Sequence, residues 1–367
     1  MVKREKREPL VRISKRGSIS GGKAWGIRLI GLFLSLVVCA IVIYGLTKMN
    51  PIKVYAAMFK GAFGTNKRLW VTIRDIMMML CIGVGLAPAF KMRFWNIGAE
   101  GQILVGGIVA AACMIYLGGK VPDALLLPMM FILSAAIGGL WGVIPAVFKA
   151  QWNANETLFT LMMNYIAIQF TSFFVAKWEN PYGSNTVGII NQATKDGWFP
   201  PIFGEMYTLN VVIVLALAVG MYLYLKYSKQ GYEIAVVGES ENTARSAAIN
   251  VKQVIIRTML VSGAICGVAG FIAVSGASHT ISTSTAGGRG FTAIIVAWLA
   301  QFNTFVMIAI SALLVFLEKG AIEIASQFDL NDFVSEMITG IILFFILGSE
   351  FFIKFNVRFR GGKKEAR

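Results

Sequence analysis

The chain has 367 residues, of which 56% are hydrophobic and only 14% are charged. Soluble domains carry roughly 25% charged residues, so this composition excludes an ordinary soluble domain. The mean hydropathy of +0.68 indicates a polytopic membrane protein. The formal net charge of +15 does not indicate nucleic-acid binding, because the excess of Lys and Arg is concentrated at the two ends of the chain.

Apolar runs of about 20 residues, the length that crosses a bilayer as a helix, recur along the chain. They predict an all-α fold, a polytopic transmembrane helical bundle of about ten spans. The eighth and ninth runs could form one broken hairpin, so the range is eight to ten, with broken or re-entrant helices a possibility. In chain order, the predicted spans are 26–46, 72–90, 94–117, 124–148, 157–176, 209–225, 255–275, 288–302, 304–317 and 333–349.

Basic residues flank this membrane domain, which is predicted over residues 26–350. Nine Lys and Arg fall within residues 1–28, and six more follow Phe352. Under the positive-inside rule, the basic tails predicted at 1–25 and 351–367 are therefore both cytoplasmic. We expect the protein in the plasma or inner membrane. With both tails on the cytoplasmic side the number of spans must be even, and ten spans satisfy this.

The same rule assigns sides to the loops. It places the basic loop 226–257 inside and the loops 177–208 and 318–332 outside. Loop 47–71 disagrees, because it is predicted outside and yet holds five Lys and Arg. Within it, residues 51–64 are typical of a short amphipathic surface helix. The long loop 177–208 is interpreted either as a docking surface or as a connector.

Residues 94–102 form a polar, glycine-bearing stretch between two apolar runs. An acid at the centre of a span costs on the order of 2.5–3.5 kcal/mol, and irregular backbone at depth must be buried in protein or line a cavity. The stretch is therefore a candidate translocation path. For Glu100 we favour a hydrogen-bonding brace for a broken helix over a path residue or an acid paired with Lys91 or Arg93. The candidate path residues are Asn96, Glu100, Gln102 and Asn164.

Glycine spacing predicts two further features. Clusters at 98–101 and 287–290 interrupt apolar segments in similar places of the two halves, a pattern typical of inverted repeats around a central site. Two pairs have GxxxG spacing, which predicts close helix packing. These pairs are Gly138 with Gly142 and Gly263 with Gly267.

The largest internal polar segment is 226–254. Ser240 is a plausible N-cap for a short helix over Ser240–Ile249. Its small face, with Ala244, Ala247 and Ala248, could fit into a groove of another protein. The alternative is a plain connecting loop.

Motifs of catalysis and metal binding are not found in the sequence. There is no HExxH, CxxC or GxSxG, and the four cysteines lie in apolar spans. The phosphate-loop-like residues 17–23 are followed by Ala24 instead of Ser or Thr and have no preceding strand. His279, the only histidine, is assigned a structural role. We therefore expect no catalytic residue, no metal site and no cofactor bound by this chain, which is not an enzyme.

Four ordered segments carry a family resemblance. They are FWNIGAEGQILVGG at 94–107, NETLFTLMMNYIA at 155–167, GYEIAVVGESENTARSAAINV at 231–251 and GGRGFTAIIVAWLA at 287–300. Together they resemble the permease subunits of ABC importers, in the branched-chain amino acid and ribose permease superfamily, and most of all its nucleoside and simple-sugar subgroup. The chain departs from that pattern in the inserted Trp95, in Ala235, Ala248 and Ala300, and in the bulky Trp298.

The resemblance implies a permease subunit that forms the path for a nucleoside-like or simple-sugar solute. It implies a second permease subunit, as a homo- or heterodimer, two cytoplasmic ATP-binding cassette subunits that use ATP, and an extracytoplasmic substrate-binding protein, with no nucleic acid. It also makes 231–251 the segment that couples to the ATPase. The coupling residues it implies are Gly231, Tyr232, Glu233, Gly238, Glu239, Asn242, Ala244, Arg245 and Ala248.

A rival hypothesis is a secondary transporter driven by an ion gradient, with Glu100 or Asp75 as its proton or cation site. Such a transporter would not need the 231–250 segment. A membrane enzyme ranks third, because no nucleophile–base pair is visible.

Overall fold

The computed structural model describes residues 11–17, 19–48, 50–328 and 332–359. Almost all of its ordered elements are helices, as the apolar runs predict. The elements are β1 Val11–Lys15, α1 Gly21–Thr47, α2 Pro51–Phe63, α3 Asn66–Lys91, α4 Ala99–Leu117, α5 Asp123–Trp152, α6 Glu156–Lys177, α7 Thr208–Tyr227, α8 Lys229–Glu239, α9 Glu241–Ser246, α10 Val251–Ala273 with a π-helical turn at Val274–Ser278, α11 Arg289–Leu299, α12 Thr304–Phe328, α13 Asp332–Lys354 and β2 Phe355–Phe359.

Among the described residues, nine helices are long and apolar enough to cross a membrane. The eighth predicted span, 288–302, contains only the 11-residue helix α11, whose length of about 16 Å falls short of a hydrocarbon core of about 30 Å. The predicted span 304–317 is too short, since α12 continues to Phe328. Much of the expected loop 318–332 is therefore helix.

The chain divides into two compact units, one of which combines residues 1–64 with 316–367. In this unit α1 packs antiparallel to α13, with Arg28 and Glu350 in a 2.7 Å ion pair. The strands β1 and β2 continue the same pairing as an antiparallel ladder. Because β1 precedes α1 and β2 follows α13, both strands lie at the same end of this helix pair.

This ladder is an addition to the expected all-α fold. The predicted tails are also shorter than expected, because α1 begins at Gly21 rather than after residue 25 and α13 continues to Lys354. The remainder of the predicted tails, residues 1–10 and 360–367, lies outside the described part of the chain.

The second unit is residues 65–315, built around α10. Helix α5 crosses α10 where Gly138 faces Gly263 and Gly267. A Cβ atom added at Gly138 would lie 2.6 Å from the Gly263 carbonyl oxygen. The close packing predicted from the GxxxG spacing is therefore present.

Helix α11 and the non-helical residues 280–288 before it form a segment here called the broken crossing. Helix α11 runs alongside α3 in the same direction, since Arg289 lies beside Asp75, Val296 contacts Gly83 and the Trp298 ring lies 6.0 Å from that of Phe90. Residues 280–288 lead to it from the end of α10. Among the described residues, the nine long helices fall within the predicted range of eight to ten spans, and α11 is a shorter apolar helix.

Candidate functional site

The polar stretch between α3 and α4 is held by buried amide side chains. Asn96 is fully buried; its Oδ1 accepts from the Gly98 N–H at 3.0 Å. Its Nδ2 donates to Ser262 Oγ of α10 at 3.2 Å and to Gln102 Oε1 at 3.4 Å. These bonds tie the non-helical backbone before α4 to the central helix.

Helix α6 supports the same stretch from the other side. The Gly101 N–H donates to Asn164 Oδ1 at 2.8 Å, and Asn164 Nδ2 donates to the Ile97 carbonyl at 2.9 Å. The Ile97 N–H donates to Thr160 Oγ1 at 3.2 Å. Asn164 thus satisfies one of the orphan N–H groups at the start of α4. Sequence reasoning missed Thr160 and Ser262, whose only signal was a hydroxyl within an apolar span.

Glu100 joins the two glycine clusters. Its Oε1 accepts from the Gly288 N–H at 2.7 Å, and its Oε2 accepts from the Gly290 N–H at 2.8 Å. Within the described residues its carboxylate partners are these backbone groups at the start of α11, not Lys91 or Arg93. This is the geometry of a brace, placed where a helix N-terminus favours negative charge. The inverted repeat itself stays a prediction.

Glycine is required on both sides of this contact. Gly288 has a φ of +73°, a conformation that costs a side-chain-bearing residue energy. A Cβ at Gly290 would lie 2.6 Å from the Glu100 backbone nitrogen. The Gly-Gly-Arg-Gly sequence at 287–290 thus allows the first residues of α11 to pack against Glu100.

A cavity of about 250 Å³ opens beside the broken crossing. At one wall the buried Asp75 accepts from Arg74 Nε at 2.9 Å, and Arg289 Nη2 lies 3.6 Å from the same Oδ1. Of its lining, sequence reasoning considered only Asp75. The lining residues are Arg74, Asp75, Met78, Asn210, Ile272, Ala273, Ala277, Ser278, Thr280, Ser282, Ser284, Thr285 and Arg289. The predicted path residues are not among them.

His279 lies directly before residues 280–288, just beyond the span Val251–Ser278. Its ring stacks on Trp198 of the 178–207 loop, with centroids 3.6 Å apart. Burial, and secondarily the charge of Arg74, lowers the pKa of His279 to about 4. The imidazole is therefore neutral near pH 7, in keeping with a structural role.

On the membrane side opposite that loop, α8 and α9 form a short helical pair. The Gly231 N–H donates to Ser228 Oγ at 2.9 Å, and the Thr243 N–H donates to Ser240 Oγ at 3.3 Å. Ser240 is therefore an N-cap, as predicted. The expected helix Ser240–Ile249 is shorter, however, because the chain turns at Ala248, which has a φ of +58°.

The residues implied for coupling separate into two groups. Gly231, Gly238 and Ala244 are buried, and Glu233 forms a 2.8 Å ion pair with Arg257 of α10. The expectation that Ala244 faces a partner is therefore wrong, since it packs fully inside this chain. The exposed members are Tyr232, Glu239, Asn242, Arg245 and Ala248.

The buried glycines attach this pair to the spans. A Cβ at Gly231 would lie 2.5 Å from the Tyr224 carbonyl oxygen, and one at Gly238 would overlap the carbonyl of Lys91. Lys91 ends α3, directly before the braced stretch. The helical pair therefore packs against the end of α3, which leads directly into the segment that Asn96 and Asn164 hold.

Long apolar helices, braced broken helices and a polar cavity are together typical of a membrane transport protein. The profile of the family described as "Branched-chain amino acid transport system / permease component" matches residues 70–347. The chain belongs to this family of ABC transporter permeases.

Individual relatives agree. The chain is 33% identical over 313 residues to the guanosine ABC transporter permease protein NupP of Bacillus subtilis, covering 84% of this chain and 88% of the relative. It is 24% identical to the glucose ABC transporter permease protein TsgB13 of Haloferax volcanii, covering 95% and 93%. It is 26% identical to a second B. subtilis guanosine permease protein, NupQ, covering 54% and 64%. No solved structure matches the chain.

The chain is thus the membrane-spanning permease subunit of an ABC importer and a transport component rather than an enzyme. Transport in such systems is driven by ATP that partner ATPase subunits hydrolyse. This selects the ATP-driven hypothesis over the ion-gradient transporter.

Proposed function

We propose that this permease imports a nucleoside-like or simple-sugar solute. It would act with a second permease subunit, two cytoplasmic ATPase subunits and an extracytoplasmic binding protein. The names of NupP and TsgB13 support the two solute classes. The pair NupP and NupQ, both guanosine permease proteins of one organism, supports a second permease subunit. The hydroxyl-rich cavity suits a polar, uncharged solute.

The observation that carries the proposal is the two-sided placement of α8 and α9. Their outer side presents Glu239, Asn242 and Arg245 to solvent. Their inner side contacts α3 through Gly238 and α10 through the Glu233–Arg257 ion pair. An ATPase that binds the exposed side would therefore move α3 and α10 together when its nucleotide state changes.

The orientation follows from charge. The segment 226–257 is basic, so α8 and α9 lie on the cytoplasmic side under the positive-inside rule. The same rule assigns the basic tails to the cytoplasm, and the 178–207 loop would then face the binding protein. In this arrangement Asn96, Glu100, Gln102 and Asn164 shape the path by holding the broken helices in place.

Uptake by right-side-out vesicles, loaded with ATP and supplied with the binding protein, tests the proposal when the neighbouring ATPase subunits are co-expressed. Uptake of labelled guanosine or glucose should require ATP and those subunits. Asn242→Trp, on the exposed face of α9, should reduce ATPase co-purification and abolish uptake while membrane insertion persists. Gln192→Trp, an exposed control on the opposite loop, should leave co-purification unchanged. Full co-purification and uptake in Asn242→Trp would refute the coupling role.

A further inference from the structure

The cavity beside the broken crossing contains an unused hydrogen-bonding group. Asn210 of α7 is fully buried, and its Nδ2 donates to the Gly276 carbonyl at 3.2 Å. Its Oδ1 has no hydrogen-bond partner within the part of the chain that the structure describes. A buried acceptor without a partner costs about 1–3 kcal/mol. A ligand in the cavity would remove that cost.

Arg289 supplies the complementary donors. Arg74 approaches Asp75 Oδ1 through Nε and Nη2, both at 2.9 Å. Arg289 lies 3.6 Å from that oxygen, beyond hydrogen-bond distance, and its side chain is 25% exposed. A guanidinium has five N–H donors in a planar fork. Arg289 also lines the cavity, where two guanidinium groups share one carboxylate, so donors of Arg289 are available to a ligand there.

The remaining wall is made by hydroxyl side chains and irregular backbone. The π-helical turn at Val274–Ser278 ends α10 there, and π-helical turns are frequent at functional sites. Ser278 and Ser282 already bond neighbouring groups. They and Thr280 lie where hydroxyls of a small solute could be matched. The volume of about 250 Å³ is below the range of roughly 300–1,000 Å³ of drug-sized ligand sites. It limits the occupant to one small molecule.

We propose that this cavity is a binding site for a nucleoside whose base carries a carbonyl oxygen. Arg289 donates to the carbonyl, Asn210 Oδ1 accepts from a ring N–H or an exocyclic amine, and the Ser and Thr side chains contact the ribose. Arginine pairs with the carbonyl edge of guanine in the same way in nucleic-acid recognition. The inference rests on the proposed function and sharpens it, because a simple sugar has no planar edge that matches a guanidinium and an amide together.

The test measures ligand binding to the assembled membrane complex after removal of the soluble binding protein. That protein has its own selectivity and would mask the permease. Labelled guanosine is displaced by inosine, by purine riboside, which lacks the base carbonyl, or by glucose. On the wild-type complex inosine should compete at least about tenfold better than purine riboside, and glucose should not compete. This comparison requires no variant to fold.

Two variants locate the site. Arg289→Met should bring inosine and purine riboside to within about twofold of each other, and Asn210→Leu should weaken guanosine binding at least about tenfold. Gln169→Leu, which removes an exposed amide from α6 away from this cavity, should bind as the wild type does.

Vesicle uptake separates failure of this site from failure of the proposed function. If guanosine is imported but the wild-type complex does not distinguish inosine from purine riboside, the binding site is refuted and the proposed function stands. Import of glucose alone also refutes the site. If neither solute is imported, both proposals fail.

Discussion

The most direct test of the membrane core is Glu100→Gln. In the wild type both carboxylate oxygens accept backbone N–H groups, from Gly288 and Gly290, at 2.7 and 2.8 Å. Glutamine is nearly isosteric but offers one acceptor oxygen. Its amide nitrogen would place a donor opposite one of these N–H groups, leaving a buried donor without a partner at the start of α11.

The magnitude follows from these contacts. A hydrogen bond to a charged group contributes about 1.5–3 kcal/mol, and a carboxylate at a helix N-terminus adds about 0.3–1 kcal/mol. Glu100→Gln should therefore lower the free energy of unfolding by about 2–4 kcal/mol. This exceeds the average of about 0.6 kcal/mol for interhelical hydrogen bonds in a membrane, because the wild-type acceptor is a carboxylate that bonds two backbone groups.

Denaturant unfolding of the purified permease in detergent, followed by tryptophan fluorescence, measures this loss. Glu205→Gln is the matched control, since its carboxylate makes an exposed hydrogen bond with Asn66 that glutamine can replace. Glu100→Asp should be destabilised as well, because a side chain shorter by one methylene reaches only one of the two N–H groups. If Glu100→Gln loses no more than the Glu205→Gln control, the brace at α11 is refuted.

Three further predictions concern other parts of the second unit. Gly267→Leu should prevent close packing of α5 on α10 and abolish stable folding, whereas Gly220→Ala, with open space around it, should express normally; equal yields of monodisperse protein would contradict this. Ala248→Gly should raise stability by up to roughly 1.5 kcal/mol, because relief of left-handed strain worth about 1–2 kcal/mol exceeds the backbone entropy of about 0.4–1 kcal/mol that glycine loses on folding; an unchanged unfolding midpoint would argue against it. With a folded pKa of about 4 against 6.5 unfolded, His279 should leave stability unaffected above about pH 6.5. Stability should fall as the pH drops towards 4, since the unfolded chain binds the proton first, and His279→Asn should flatten that pH dependence in thermal unfolding.

Sequence reasoning recovered the features that depend on neighbouring residues. Most ends of the spans were predicted to within a few residues, because an apolar run of the right length is a local signal. Ser240 was identified as an N-cap for the same reason, since a cap acts within one turn. The end of α9 was misplaced because Ala248, not glycine, adopts the left-handed conformation there. Nothing in the residue type indicated it.

Contacts between distant segments could not be predicted in this way. Trp95 and Trp298 each depart from the family pattern, and their rings stack on one another at 5.3 Å. Their sequence contexts gave no reason to pair them. Ala244 has the small side chain expected for a docking face, but only its position against the rest of the chain shows that it is buried.

By itself, the sequence determined that this protein is a helical membrane permease of an ABC importer, because span length, terminal charge and ordered family motifs are all local properties of the chain. The tertiary structure decided what its polar residues do. Asn96, Glu100 and Asn164 are similar as intramembrane polar groups, yet they brace broken helices, while Asn210 and Arg289 face a cavity. The physical reason is that a buried polar side chain must find a hydrogen-bond partner. The partner decides the role of the side chain, and here it lies in a distant segment of the chain.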